Sequence, residues 1–163
     1  MTQALIVALA YWVLILVYRF GANSMADQPI VVGPVVGLLL GDLQTGVLIG
    51  AALQIMYLGV VNVGGAQSTD TLYATCMAVA LATMTNIGTD AAIALSIPLG
   101  YIGLLMLQVT RIFFALCVPT LDKVAEEGNR TKYDIFYIGH NIIGYGFGAI
   151  TIFIALAAGA DAT

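Results

Sequence analysis

The chain contains 163 residues, of which 61% are hydrophobic and 9% are charged, and its mean hydropathy is +1.00. Soluble domains average about 45–50% apolar and about 25% charged residues, so this composition excludes an ordinary soluble domain and predicts a polytopic membrane protein. The formal net charge of -4 argues against a nucleic-acid-binding surface, because such a surface needs clustered basic residues.

The first apolar segment, 4–18, is predicted to be a membrane span. Aromatic residues near its end precede Arg19. A cleaved signal peptide would show a basic region before the apolar core and a small-residue cleavage site after it, and this segment has neither. A polar connection, 21–28, follows, and Pro29 is placed to begin the next helix.

The stretch from Gln28 to Asp70 is apolar but is interrupted by glycines and polar residues. Its two apolar parts, 30–40 and 47–61, are each shorter than the roughly twenty residues of a straight span. The break between them runs from 41 to 46. Irregular backbone at membrane depth is tolerated only where protein or a cavity covers it. We therefore predict an all-α polytopic membrane protein whose transmembrane helices flank a glycine-rich re-entrant or discontinuous hairpin around residues 30–62.

Three further apolar segments follow the hairpin. They occupy residues 72–85, 91–118 and 135–158. Thr89 and Asp90 precede the second of them and can cap the helix that it forms. Pro98 is expected to kink that helix.

A hydrophilic segment, 121–134, contains Lys123, Arg130 and Lys132. The positive-inside rule therefore predicts that it is a cytoplasmic loop. If Arg19 is also cytoplasmic, the chain between the two regions crosses the membrane an even number of times. The hairpin should then enter and leave the membrane on the same side.

Glycines recur at a spacing of four residues. The series are Gly33, Gly37 and Gly41, then Gly46 and Gly50, and then Gly144 and Gly148. Residues four positions apart lie on one face of a helix, and a face of glycines lets two helices approach closely in lipid. We therefore favour helix packing over ligand contact as the role of these glycines. The pair Gly64 and Gly65 is different, because adjacent glycines after Asn62 suit an irregular backbone near a ligand.

Three other side chains could carry chemistry but are interpreted as structural. Cys76 and Cys117 lie inside apolar segments and belong to no CxxC pattern, which favours small buried hydrophobes over a disulfide or a metal site. His140, at the start of the last apolar segment, fits a structural histidine better than a proton or phosphate carrier.

Polar residues of the hairpin region suggest a solute site. Gln54 lies inside an apolar segment, where its amide needs either an interhelical partner or a ligand. Asp42 or Thr45 is expected to cap the helix after the break. No basic residue occurs between Arg19 and Arg111, so a buried ion pair for the intervening acids is not expected.

A second polar group follows the hairpin. It consists of Asn62, Gln67, Ser68 and Asp70. Amides and a hydroxyl with one carboxylate suit a sugar, which presents many hydroxyls and no charge.

The sequence resembles a known family over almost its whole length. The resemblance is carried by PIVVGPVVGLLLGDLQTGVLIGAALQIMYLG, then NVGGAQSTD, and later by IPLGYIGLLMLQVTRIFF and LDKVAEEGN. These stretches resemble the IIC membrane subunit of the mannose/fructose/sorbose family of the bacterial phosphoenolpyruvate-dependent sugar phosphotransferase system.

The resemblance implies a multi-pass protein of the bacterial cell membrane in which residues 1–163 form a single sugar-translocation domain. It implies a hetero-oligomer with a IID membrane subunit and with cytoplasmic IIA and IIB proteins. IIB would phosphorylate the incoming hexose or amino sugar, so no catalytic residue, cofactor or metal is expected in this chain. By position, the substrate-binding residues would be Gln54, Asn62, Gly64, Gly65, Ala66, Gln67, Ser68 and Asp70. The structural hinge would consist of Gly41, Asp42, Thr45 and Gly46.

The sequence departs from the family pattern in two ways. Many relatives have glutamate in place of Gln54 and proline in place of Thr69. Relatives also usually continue well past the last span, so we expect this chain to correspond to the N-terminal part of the usual family length. The alternative function is a non-transporting or truncated membrane scaffold that pairs with IID through its glycine faces.

Overall fold

The computed structural model describes residues 1–21, 24–60, 67–85 and 87–160, and within these ranges it contains helices and no strand. The helices are α1 (Thr2–Phe20), α2 (Pro29–Leu40), α3 (Leu43–Tyr57), α4 (Thr71–Thr85), α5 (Thr89–Glu126) and α6 (Arg130–Ala160). The prediction of an all-α fold is confirmed. Helices α1, α5 and α6 are long and apolar enough to cross a membrane, whereas α2, α3 and α4 are shorter.

Helices α2 and α3 form a hairpin with a tight turn. Gly41 ends α2 in the left-handed region, at φ 83°, and Asp42 begins α3 by accepting a hydrogen bond from the Thr45 backbone N–H at 3.1 Å. With 12 and 15 residues, the helices extend about 18 and 22 Å, less than the roughly 30 Å of a bilayer core.

The predicted break from Gly41 to Gly46 is wrong in its extent. Because Asp42 caps the next turn, α3 already begins at Leu43, and both Thr45 and Gly46 are helical. The predicted cap is confirmed at Asp42. The predicted turn at 62–65 lies outside the described residues.

The glycines of the hairpin bring the backbones of α2 and α3 into contact. A Cβ atom on Gly37 would stand 2.7 Å from the Asp42 carbonyl oxygen and 2.8 Å from the Gly46 Cα atom. Gly33 faces Gly46 and Gly50 in the same way. Gly144 and Gly148, on α6, lie against Phe114 and Tyr11 respectively. The prediction of close packing is confirmed for Gly33 and Gly37, for Gly46 and Gly50, and for Gly144 and Gly148. It is wrong for Gly41, where an added Cβ atom would meet nothing within 4 Å. The two cysteines are free thiols, Cys76 buried and Cys117 half-buried.

Helix α4 is enclosed by the other helices and extends along only half of α1. Its residues 72–80 are all buried. It begins beside Tyr11, in the middle of α1, where the tyrosine hydroxyl lies 3.4 Å from Asp70. Its other end, at Thr85, shares a cavity with Gln3 near the beginning of α1. The N-terminus of α4 therefore lies inside the bundle.

Two predictions about α5 and α6 are wrong. Gly88, rather than Thr89 or Asp90, is the N-cap of α5, and no side chain caps this helix, because α5 already includes Thr89 in its first turn. The predicted loop 121–134 is mostly helical. Since Asn129 accepts a hydrogen bond from the Lys132 backbone N–H, α6 begins at Arg130, and only residues 127–129 connect the two helices. Pro98 lies inside α5, as predicted.

Candidate functional site

A small polar cavity adjoins the N-terminus of α4. Its volume is about 60 Å³, and it receives side chains from α1, from the connection between α1 and α2, and from the segment leading into α4. The polar residues that line it are Tyr18, Arg19, Asp27, Gln67, Asp70 and Thr71. The remaining lining residues are apolar, so this is a polar interior site in a bundle whose outer surface is largely apolar.

Asp70 is the most buried polar residue of this cavity, with only 3% of its surface exposed. One carboxylate oxygen accepts the Tyr73 backbone N–H at 3.1 Å, which satisfies a donor of the first turn of α4. The other oxygen accepts the Tyr11 hydroxyl at 3.4 Å. The Asp70 backbone N–H donates to the Gly100 carbonyl on α5 at 3.1 Å. Helices α1, α4 and α5 thus meet at this residue.

No ion pair of Asp70 is present among the described residues. The salt bridges of that part of the chain join Arg130 to Asp134 and Lys132 to Glu127, at the connection between α5 and α6. The expectation that the acids between Arg19 and Arg111 lack a buried ion pair is confirmed for Asp70. A carboxylate held by neutral donors in the interior is unusual, and such residues commonly mark a solute pathway.

Gln67 lines the same cavity and makes two side-chain hydrogen bonds. Its Nε2 donates to the Thr69 carbonyl at 3.2 Å, and its Oε1 accepts from Nη2 of Arg111 at 3.3 Å. The structure therefore brings two of the predicted substrate-binding residues, Gln67 and Asp70, to one cavity.

Three ionisable residues at or beside this cavity were not among the predicted site residues: Arg19, Asp27 and Arg111. Arg19 lies over the Tyr18 and Tyr145 rings, 5.3 Å from each ring centroid. One buried carboxylate oxygen of Asp27 has no hydrogen-bond partner among the described residues. Burial raises the pKa of this carboxyl, although nearby Arg19 opposes the rise. Only Arg111 offered a signal in the sequence, because it lies inside an apolar segment, where an ionisable residue is a functional candidate by default.

The other predicted substrate-binding residues do not line this cavity in the described structure. Ser68 borders a separate cavity of about 150 Å³ with Tyr57, Thr69 and Tyr101. Residues 62 and 64–66 lie outside the described residues.

Gln54 connects the open ends of the hairpin. Its Oε1 accepts the Ile30 backbone N–H at 3.2 Å, and its Nε2 donates to Oε1 of Gln28 at 3.1 Å. Of the two alternatives for this amide, the interhelical partner is the one seen here.

We expect Gln54→Glu to be tolerated and Gln54→Leu to be destabilising. A carboxylate can still accept the Ile30 N–H, and rotation of the Gln28 amide turns a donor toward it. Leucine leaves the Ile30 N–H and the Gln28 amide without this partner, which should lower the free energy of unfolding by about 1 kcal/mol. Thermal unfolding in detergent measures the difference, and equal midpoints for the two variants would contradict it.

His140 has the environment of a structural histidine. Its Nδ1 lies 3.0 Å from the Phe136 carbonyl oxygen, one turn earlier in α6. The rings of Phe114 and Tyr137 pack edge-on against it. These contacts favour the structural alternative over a proton or phosphate carrier.

Comparison with known proteins identifies relatives of the chain. Residues 1–163 match the family described as "PTS system sorbose-specific iic component". The "PTS system sorbose-specific EIIC component" of Klebsiella pneumoniae is 31% identical over 123 residues, which covers 72% of this chain and 46% of that protein. The "PTS system mannose-specific EIIC component" of Escherichia coli strain K12 is 30% identical over 123 residues, with the same coverage.

A solved structure has the same fold. It is described as the cryo-EM structure of mannose transporter ManYZ in complex with microcin E492 (MceA), and it superposes with a TM-score of 0.86 at 25% identity. The superposition covers 96% of this chain and 62% of that chain. Of the two curated relatives named above, by contrast, the matched part of this chain spans somewhat less than half the length.

Proposed function

Because this chain belongs to the PTS system sorbose-specific IIC component family, we propose that it is a sugar permease subunit, binding a hexose or amino sugar and translocating it for phosphorylation by a IIB protein. The observation that carries the proposal is the meeting of Gln67 and Asp70 at a polar cavity beside an interior helix N-terminus. Transporters commonly bind substrates at helix ends that lie inside the membrane.

The chemistry of the cavity suits a neutral polyol. Asp70 offers carboxylate oxygens as strong acceptors, while the Gln67 amide and the Thr71 hydroxyl can both donate and accept. At about 60 Å³ the cavity is much smaller than the roughly 300–1,000 Å³ of typical ligand pockets. Sugar binding in this proposal therefore requires the surrounding elements to move apart.

We assign the remaining predicted residues to the same substrate pathway. Asn62, Gly64, Gly65 and Ala66 closely precede Gln67 in the chain. Ser68 shares a cavity with Tyr57, the last residue of α3, and Gln54 joins the open ends of the hairpin. The shortness of α2 and α3 supports a re-entrant hairpin, turning at Gly41 and Asp42, that enters and leaves the membrane on the cytoplasmic side. Movement of this hairpin is our proposed means of admitting the sugar.

The proposed setting is the bacterial cell membrane, in a complex with a IID membrane subunit and cytoplasmic IIA and IIB proteins. In this complex the chain moves the sugar, and phosphoryl transfer is carried out by the cytoplasmic proteins. The large apolar side chains exposed on α1, α5 and α6 are suited to contact lipid and a membrane partner.

Reconstitution tests the proposal directly. Cells without other uptake routes for D-mannose, D-fructose, L-sorbose and N-acetyl-D-galactosamine would express this chain with IID, IIA and IIB proteins of the same phosphotransferase family. We expect one of these sugars to accumulate as its phosphate only when all four proteins are present. If the complex assembles but sugar never stimulates loss of phosphate from IIB, the permease proposal is wrong and the scaffold alternative takes its place.

A further inference from the structure

The guanidinium group of Arg111 reaches from α5 to the segment that precedes α4. Its Nη2 lies 3.3 Å from Oε1 of Gln67, although the two residues are 44 positions apart in sequence. Gln67 in turn lines the cavity that contains Asp70. Arg111 itself is exposed and is absent from the salt bridges found among the described residues.

The two hydrogen bonds of Gln67 require the same orientation of its amide. A guanidinium group only donates hydrogen bonds, so Arg111 must face the amide oxygen. A backbone carbonyl only accepts them, so the Thr69 carbonyl, 3.2 Å from Nε2, must face the amide nitrogen. The orientation of an amide side chain is often ambiguous, but here two partners of opposite character determine it together.

The oriented amide retains capacity for a ligand. An amide has two N–H donors and two lone pairs on its oxygen. Among the described residues, Thr69 uses one donor and Arg111 uses one lone pair, which leaves one donor and one acceptor of the amide without a partner there. That pair matches a sugar hydroxyl, which can accept and donate at once.

We infer that Arg111 is a positioning residue for the sugar site, holding the Gln67 amide in the orientation in which it meets a sugar hydroxyl. The inference rests on the proposed function, because it requires Gln67 to contact the sugar. Arg111 acts through Gln67 and need not touch the sugar itself.

The test measures the equilibrium binding of D-mannose, D-fructose and L-sorbose to membranes that contain the assembled complex. For the sugar that the unmodified chain binds most tightly, Arg111→Met should weaken binding about five- to tenfold, the size expected for one lost hydrogen bond. Arg111→Lys keeps a donor-only group and should remain within about twofold of the unmodified chain. Arg130→Met is the matched control, because Arg130 is an exposed arginine at the first residue of α6 that pairs with Asp134 rather than with Gln67.

A double-mutant cycle separates positioning from general structural damage. If Arg111 acts through Gln67, then Arg111→Met should cause no further weakening in a chain that already carries Gln67→Ala. Additive losses would overturn the inference. If Arg111→Met does not assemble, Arg111→Gln serves instead, since its shorter side chain should show the same weakening and the same dependence on Gln67.

The results also separate this inference from the proposed function. Weakened binding by Gln67→Ala with normal binding by Arg111→Met overturns the positioning role and leaves the sugar site intact. Normal binding by Gln67→Ala removes Gln67 from the sugar site, and the positioning role is then wrong as well.

Discussion

Replacing Asp70 with asparagine should reduce sugar uptake about 10- to 100-fold while the chain still folds. A hydrogen bond to a charged group contributes about 1.5–3 kcal/mol of stabilising free energy, more than a neutral one. Loss of the charge therefore weakens the hydrogen bonds that Asp70 makes to sugar hydroxyls. The asparagine carbonyl can still accept the Tyr73 backbone N–H, and asparagine is as good an N-cap as aspartate. Tyr11 can turn its hydroxyl to accept from the new amide.

Uptake and thermal unfolding must be measured on the same variants. Asp90→Asn is the matched control, because Asp90 is an exposed carboxylate in the first turn of α5. We expect Asp90→Asn to retain normal uptake. Normal uptake by Asp70→Asn would remove the carboxylate from the proposed mechanism. A large fall in the unfolding temperature of Asp70→Asn would assign Asp70 a purely structural role.

Replacing Gly46 with alanine should disrupt the hairpin and abolish uptake. The added methyl group would stand 2.8 Å from the Gly37 Cα atom and would also meet the Gly33 carbonyl oxygen. Both contacts are backbone atoms, so relief requires α2 and α3 to separate rather than a side chain to rotate. Overpacking of this kind lowers the free energy of unfolding by about 1–3 kcal/mol.

The thermal unfolding midpoint of the detergent-solubilised complex measures this effect. Gly139→Ala is the matched control, because a Cβ atom at Gly139, which is also helical, meets nothing within 4 Å. Alanine there should leave stability unchanged or raise it slightly, since alanine favours helix over glycine. If Gly46→Ala and Gly139→Ala unfold at the same temperature, the close backbone contact does not hold the hairpin together.

Errors in the predicted elements occurred at their ends. The hairpin turn proved shorter than the glycine and aspartate pattern indicated, because a single capping hydrogen bond at Asp42 starts α3 at once. The hydrophilic stretch 121–134 is largely helical, because Asn129 caps α6 and ion pairs join neighbouring polar residues. Polarity indicated exposure to water in this stretch, but it did not by itself indicate a loop.

The structure brings some of the predicted site residues together, and their role in binding sugar stays a prediction. Gln67 and Asp70 do share a cavity, as the spacing of polar residues suggested. Gln54 instead joins Gln28 and Ile30, and Arg111, which sequence spacing had separated from the site, contacts Gln67. All three contacts link positions more than 20 residues apart, so local patterns contain no information about them.

The sequence by itself determined the class of this protein: a helical membrane chain with a short glycine-rich hairpin and a polar segment after it. Hydropathy, helix breakers and glycine spacing are local properties, and each acts within one or two helical turns. Only the tertiary structure decided that the N-terminus of α4 lies beside the middle of α1, where Asp70 meets Tyr11 and Gln67 meets Arg111. Those contacts depend on how separate helices pack in three dimensions, which no single segment specifies.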